Sequence, residues 1–140
     1  MTQRVPVQWA NQPEWNRQAA NAINLLIPEE GVWVPIVTPG SGSFTTVSAT
    51  GSYIKIGRQV FTTAKITITA NGTAGLSVFY TLPFTSAVDA IGCGRESAVT
   101  GTMLQVVIQS GSGSANILTY NNAYPGASGY VLTVTATYYV

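Results

Sequence analysis

Apolar residues alternate with hydroxyl-bearing ones along most of this chain. From Gly129 to Val140, Tyr130, Leu132, Val134, Ala136 and Tyr138 take every second position, with Val131, Thr133, Thr135, Thr137 and Tyr139 between them. A period of two predicts a strand with one buried face. The same rhythm puts Val60, Ala64, Ile66 and Ile68 on one side of a strand and Thr67 and Thr69 on the other. Beyond Asn71-Gly72, Leu76, Val78 and Tyr80 alternate with Ser77 and Phe79. Asn-Gly suits a tight hairpin turn, and Gly57-Arg58 offers a second one after Tyr53–Ile56. The segment Gly51–Ala87 therefore reads as a β-meander that buries one face.

Shorter runs complete the pattern. Glu29-Glu30-Gly31 reads as a turn and Val32–Val37 as an edge strand, since Pro35 cannot donate to a ladder. Pro39–Ser43 reads as a flexible loop and Phe44–Thr50 as a weak strand. Leu82-Pro83-Phe84 closes the meander, and Ala90–Glu96 is expected to be a loop around Gly92-Cys93-Gly94. Met103–Gln109 and Ala115–Tyr120 read as strands on either side of a glycine-serine turn. The expected core comprises Ile66, Ile68, Leu82, Val106, Ile108, Leu132 and Val134.

The rhythm changes to a helical one only near the N-terminus. Asn11–Ile27 has Asn11 to cap it, Glu14 three residues later and Pro28 to end it. Trp15, Ala19, Ala22 and Leu26 recur at spacings of four, three and four, and Ile23 widens that stripe. A helix this short is not stable alone. It either lies on its own β-domain or joins copies at an oligomer axis. Ahead of it, Val5, Val7 and Trp9 alternate as an added strand would require, which marks residues 1–11 as an attachment arm. The chain thus divides into an arm and helix (1–30) and a β-domain (31–140). The fold class is mainly β: an antiparallel β-sandwich, jelly-roll-like, with one short N-terminal helix.

Composition sharpens this picture. Only 8% of residues are charged and the net charge is +1. That gives no electrostatic case for nucleic acid, and it leaves a surface that copies of the chain could cover. No apolar run is long enough to span a bilayer, so membrane insertion is not expected. Met1–Pro6 lacks the apolar core of a signal peptide, which points to assembly in a cytoplasm.

Candidate chemistry is sparse. The chain has no histidine, so the usual general base and commonest metal ligand are missing. Cys93 therefore has no histidine to activate it. Asp89 and Glu96 flank that cysteine and are the one carboxylate pair that could straddle a cleft. Lys55, Arg58 and Lys65, with Tyr53 and Phe61, could form a small basic and aromatic patch for single-stranded nucleic acid, but solvated strand faces account for them better. Asn71-Gly72-Thr73 matches a glycosylation pattern that a turn explains better. No enzyme activity, cofactor or metal is expected. An uncharged surface from Ser97 onward suits either subunit contacts or sugars.

One stretch has a family likeness. Gly51-Ser52-Tyr53-Ile54-Lys55-Ile56-Gly57-Arg58-Gln59-Val60, followed by Leu82-Pro83-Phe84, resembles a pattern in bacteriophage tail-fibre, head-fibre and decoration proteins. Those carry Tyr-x-Lys/Arg-Ile-Gly, a long strand, then Leu-Pro-Phe. Pro13-Glu14-Trp15-Asn16-Arg17 and Ala19–Leu26 are similar to the opening helix of small phage virion proteins. The resemblance implies a non-enzymatic homotrimer with a compact β-rich outer domain, found on the virion and assembled in the host cytoplasm. Its partners would be itself and other capsid or tail proteins. A capsid decoration or head-fibre role is the first expectation. The alternative is a receptor-binding or carbohydrate-binding tail-fibre tip, with a host-surface glycan as partner. On either role Trp15, Ala19, Ala22, Ile23 and Leu26 would form the oligomer interface, and Val5, Val7 and Trp9 the particle attachment.

Overall fold

The structure, a computed structural model, describes residues 14–140. It is mainly β, as the alternation predicts. One helix, α1 (Glu14–Leu26), precedes nine strands. These are β1 (Glu29–Trp33), β2 (Val37–Ser41), β3 (Thr46–Ile56), β4 (Gln59–Ala70), β5 (Gly75–Thr81), β6 (Ala90–Glu96), β7 (Met103–Ile108), β8 (Ser114–Thr119) and β9 (Tyr130–Tyr139). They form one antiparallel sheet in the order β1-β3-β4-β9-β6-β7-β8-β5-β2.

That order requires the sheet to curl. β1 and β2 follow each other in sequence but lie at opposite edges. A flat nine-stranded sheet would hold its outer strands about 38 Å apart. The link Val34-Pro35-Ile36 allows at most about 14 Å between Trp33 and Val37. The sheet therefore folds over on itself into a sandwich-like body, and the edges approach around Thr81. Thr81 N–H donates to the Ile36 carbonyl at 3.1 Å, and Ile36 N–H donates to Thr81 Oγ1 at 2.9 Å. The Trp33 indole N–H reaches the Thr81 carbonyl at 2.9 Å. No ladder joins β1 to β2, so each keeps one open edge.

The curl buries the inward residues of β4, β5, β7, β8 and β9 and half-buries those of β3. Val60, Ala64, Ile66 and Ile68 of β4 meet Leu132, Val134, Ala136 and Tyr138 of β9, with Val78, Tyr80, Leu104, Val106, Ile108 and Ile117 opposite. All seven residues expected in the core are buried. Thr62 also points inward on β4, and its hydroxyl is satisfied by the Ala136 carbonyl at 2.9 Å. On the β1–β3 pair, Trp33 lies across from Gly51 and Tyr53 across from Gly31. A side chain at Gly51 would lie within 2.5 Å of the Trp33 ring, so the glycine gives that ring its seat.

Five local expectations are corrected. β4 and β5 do not pair: Asn71-Gly72 makes a tight turn, but β5 leaves it to join β2 and β8. The meander is thus a β3–β4 hairpin followed by a crossing to the other side of the sandwich. Leu76 does not alternate inward with Val78 and Tyr80, because its φ of 67° turns the side chain out to 69% exposure. Glu29–Gly31 and Pro39–Ser41 belong to strands, since both segments find ladder partners at the sheet edges. Ala90–Glu96 is a central strand, not a loop.

Candidate functional site

The candidate carboxylates resolve first, and they separate. Asp89 and Glu96 lie at opposite ends of β6. A strand of that length is roughly 20 Å long, far beyond any spacing for paired acid chemistry. Asp89 accepts the Ser110 N–H at 2.8 Å. Glu96 is fully buried. Its oxygens accept N–H groups from Ala98 at 2.8 Å, Val99 at 2.9 Å, Thr100 at 2.5 Å and Val131 at 3.0 Å, and the Thr100 hydroxyl at 3.0 Å. Burial alone would raise its pKa, but the backbone N–H groups of Val131, Thr100, Ala98 and Val99 outweigh burial and hold it down to about 2. Glu96 ties the β6–β7 turn to β9 and has no oxygen left for a substrate.

The other chemical candidates are also placed by the fold. Cys93 is exposed on the outer face of β6, with its Sγ 4.0 Å from Thr135 Oγ1. Lys55 and Lys65 lie apart, and Lys55 Nζ sits 5.7 Å from the centre of the Phe84 ring. Arg58 Nε donates to the Val140 carbonyl at 2.8 Å. Tyr53 packs with the core and Phe61 faces outward, so they form no joint stacking platform. The Asn71 side chain accepts the Tyr124 hydroxyl at 2.6 Å and donates to the Ala74 carbonyl at 2.9 Å, which commits it to the turn. Among the described residues no group of three or more acids or cysteines could hold a metal.

The residues that carry the family likeness converge in space. The Tyr53 ring meets Phe84 edge-on with centroids 5.0 Å apart, and Trp33 lies 6.3 Å from Tyr53. With Lys55 above Phe84, the Tyr-x-Lys run and the Leu-Pro-Phe run form one aromatic cluster. Tyr138 anchors it, donating its hydroxyl to the Phe84 carbonyl at 2.9 Å. This cluster is part of the sandwich itself.

What remains as a candidate site is the apolar surface left outside. On α1, Trp15 is 70% exposed, Ile23 49% and Leu26 68%, and Ala19 and Ala22 are exposed too. All five residues of the expected interface thus lie on the surface of the chain. Only one side of α1 is covered within the chain: Ala20 is its one buried residue, and Asn16 and Asn24 on the same side are half-buried. Val5, Val7 and Trp9 lie outside the described residues.

A second apolar surface was not anticipated. Val32 on β1, Ile54 on β3 and Phe61 on β4 line a groove of about 600 Å³ on the outer face, with Glu30, Ser52 and Thr63 around them. Val32 is 84% exposed, and Ile54 and Phe61 about 40%. The alternation gave outward positions on β4 at Thr67 and Thr69, but nothing in it showed that apolar side chains of β1, β3 and β4 would align. No described helix is long and apolar enough to cross a membrane. No family model, curated protein or solved structure matches the chain.

Proposed function

We propose that this is a non-enzymatic structural protein of a bacteriophage virion, a capsid decoration or head-fibre protein that assembles as a homotrimer through α1. The observation that carries the reading is the helix. Its stripe of Trp15, Ala19, Ala22, Ile23 and Leu26 stays in solvent, although β4 and β9 of the sandwich bury their inward side chains. Exposed apolar stripes of this kind mark association surfaces. A stripe with two alanine layers suits close approach of helices about a closed axis. The sandwich then serves as the outward-facing body. The sequence likeness to phage fibre and decoration proteins supplies the virion context.

A receptor-binding or sugar-binding fibre tip is the second reading. The hydroxyl-rich outer face of β4 and β9, with Thr63, Thr133, Thr135 and Thr137, favours it. Light scattering on the full chain and on Leu26→Asp tests the first reading. The parent should show three times the 14.7 kDa chain mass, and the variant should fall towards one. A parent that stays monomeric at micromolar concentration contradicts it. Glycan-array binding by the full chain would bring the second reading forward.

A further inference from the structure

Leu76 holds a conformation that a bulky side chain rarely adopts. Its φ is 67°, in the left-handed region, where a large residue is an outlier. The inward residues that follow it on β5, Val78 and Tyr80, are fully buried, yet Leu76 is 69% exposed. Across from it β2 carries a bulge between Pro39 and Ser41. A side chain at Gly40 in that bulge would come within 3.1 Å of the Leu76 Cβ. Bulges re-aim side chains, and backbone strain of this kind collects at binding and contact sites.

Leu76 lies on the least charged part of the molecule. β7, β8, β5 and β2 follow one another in the sheet and carry no charged residue. The register of Val78 with Ile117 sets Leu76 level with Thr119, next to Tyr120. The Tyr120 N–H donates to the Met103 carbonyl at 3.1 Å. Leu76, Tyr120 and Met103 thus lie at one end of three adjacent strands, within about 10 Å. They are 69%, 71% and 55% exposed. Charge begins on the next strand, where Arg95 of β6 is the register partner of Met103. An uncharged patch with an aromatic and a methionine side chain, and a charge at its rim, has the composition of an interface core.

We infer that this end of β5, β8 and β7 is a second contact between copies of the chain, with Leu76 as its anchor. The inference rests on the assembly reading above and adds a surface to it. Charge points to a second copy as the occupant. Near a symmetry axis a surface meets its own copy, so any charge on it opposes a like charge, at a cost in affinity. This face carries none, and only 8% of the whole chain is charged. A charged partner would find no counter-charge on β2, β5, β7 or β8. Area points the same way. A stable interface takes about 800 Å² from each partner. The stripe on α1 includes two alanines, and even a large aromatic buries only about 150–250 Å². The helix alone leaves the assembly short of contact, and the strand face supplies more.

The test uses the full chain and two variants beside the parent and Leu26→Asp. Leu76→Asn removes the apolar anchor and keeps a residue that accepts the left-handed conformation. Tyr120→Lys sets like charges against each other where copies meet. Dissociation is followed by light scattering on dilution, and thermal unfolding is measured at a dilution where every form is monomeric. Each variant should raise the dissociation constant about tenfold or more. The monomer midpoint of Leu76→Asn should hold or rise, because the strain is relieved. A midpoint that falls makes Leu76 part of the packing of the body and overturns its role as an anchor. Unchanged association in both variants, with Leu26→Asp dissociated, overturns the strand face and leaves the helix reading standing. Dissociation in both, with Leu26→Asp intact, supports the face and removes the helix reading. A parent that is monomeric at micromolar concentration overturns the second copy as occupant and the assembly reading with it.

Discussion

The sandwich and the helix handle apolar side chains in opposite ways. Along β4 and β9 every inward residue from Val60 to Ile68 and from Leu132 to Tyr138 is buried. Along α1 the largest apolar residues stay in water. Both segments have a clear hydrophobic period, so the period alone does not decide burial. What differs is the partner within the chain. Each strand has ladder neighbours that align its apolar face with the next. The helix covers only its Ala20 side within the chain, and a helix of 13 residues gains little from its own hydrogen bonds. The body buries its apolar faces within the chain, whereas the helix leaves its stripe exposed, and we propose that other copies cover it.

The largest effect should come from the body. Leu132 is fully buried between β4 and β6. Leu132→Ala should cost about 2–5 kcal/mol in equilibrium denaturation, since the surrounding strands cannot collapse into the space. A cost below about half a kcal/mol would mean that the body is not the tightly packed unit that the contrast requires.

Next comes the turn held by Glu96. Its carboxylate pKa is about 2 when folded, against 4.5 for the unfolded group. A lowered folded pKa adds stability above the unfolded pKa, and that stability is lost as pH falls from about 4.5 towards 2. The difference amounts to about 3 kcal/mol. Denaturation at pH 7, 4 and 2.5 should show the loss, and Glu96→Gln should flatten it while lowering stability at pH 7. An unchanged pH profile in that variant would place the acid sensitivity elsewhere.

The smallest effect on stability should come from the helix. Leu26→Asp should change the stability of the sandwich by less than about half a kcal/mol, because the side chain is already 68% exposed in the chain. Its effect should appear in mass alone. A large loss of monomer stability would show that the helix belongs to the body after all.

How far the sequence revealed this follows from where the information lies. β9 and the core positions were legible because alternation is local and strict there. The β3–β4 hairpin was legible at Gly57-Arg58, where two strands pair across a short turn. Asn71-Gly72 gave the correct turn but the wrong pairing, since a tight turn fixes chain direction and not which strand lies alongside. The wide separation of β1 and β2 is a tertiary fact that no local pattern contains. β6 was read as a loop because Gly92 and Gly94 interrupt it. A side chain at either would meet the β9 backbone, at the Thr135 and Thr133 carbonyls respectively, so these glycines permit close approach of strands. Of the candidate residues, the helix stripe was legible from its spacing and its exposure was not. The carboxylate pair seemed plausible only because six intervening residues look short until they are extended as a strand.

The central claim is that α1 gains its order from other copies, while the sandwich does not need them. Hydrogen exchange of the full chain, read at α1 and β9 across a concentration series alongside the mass, tests it most directly. The account predicts that α1 amides become protected only as the mass rises to three chains, with β9 amides protected at every concentration. Protection of α1 at the same level in a monomer would contradict it.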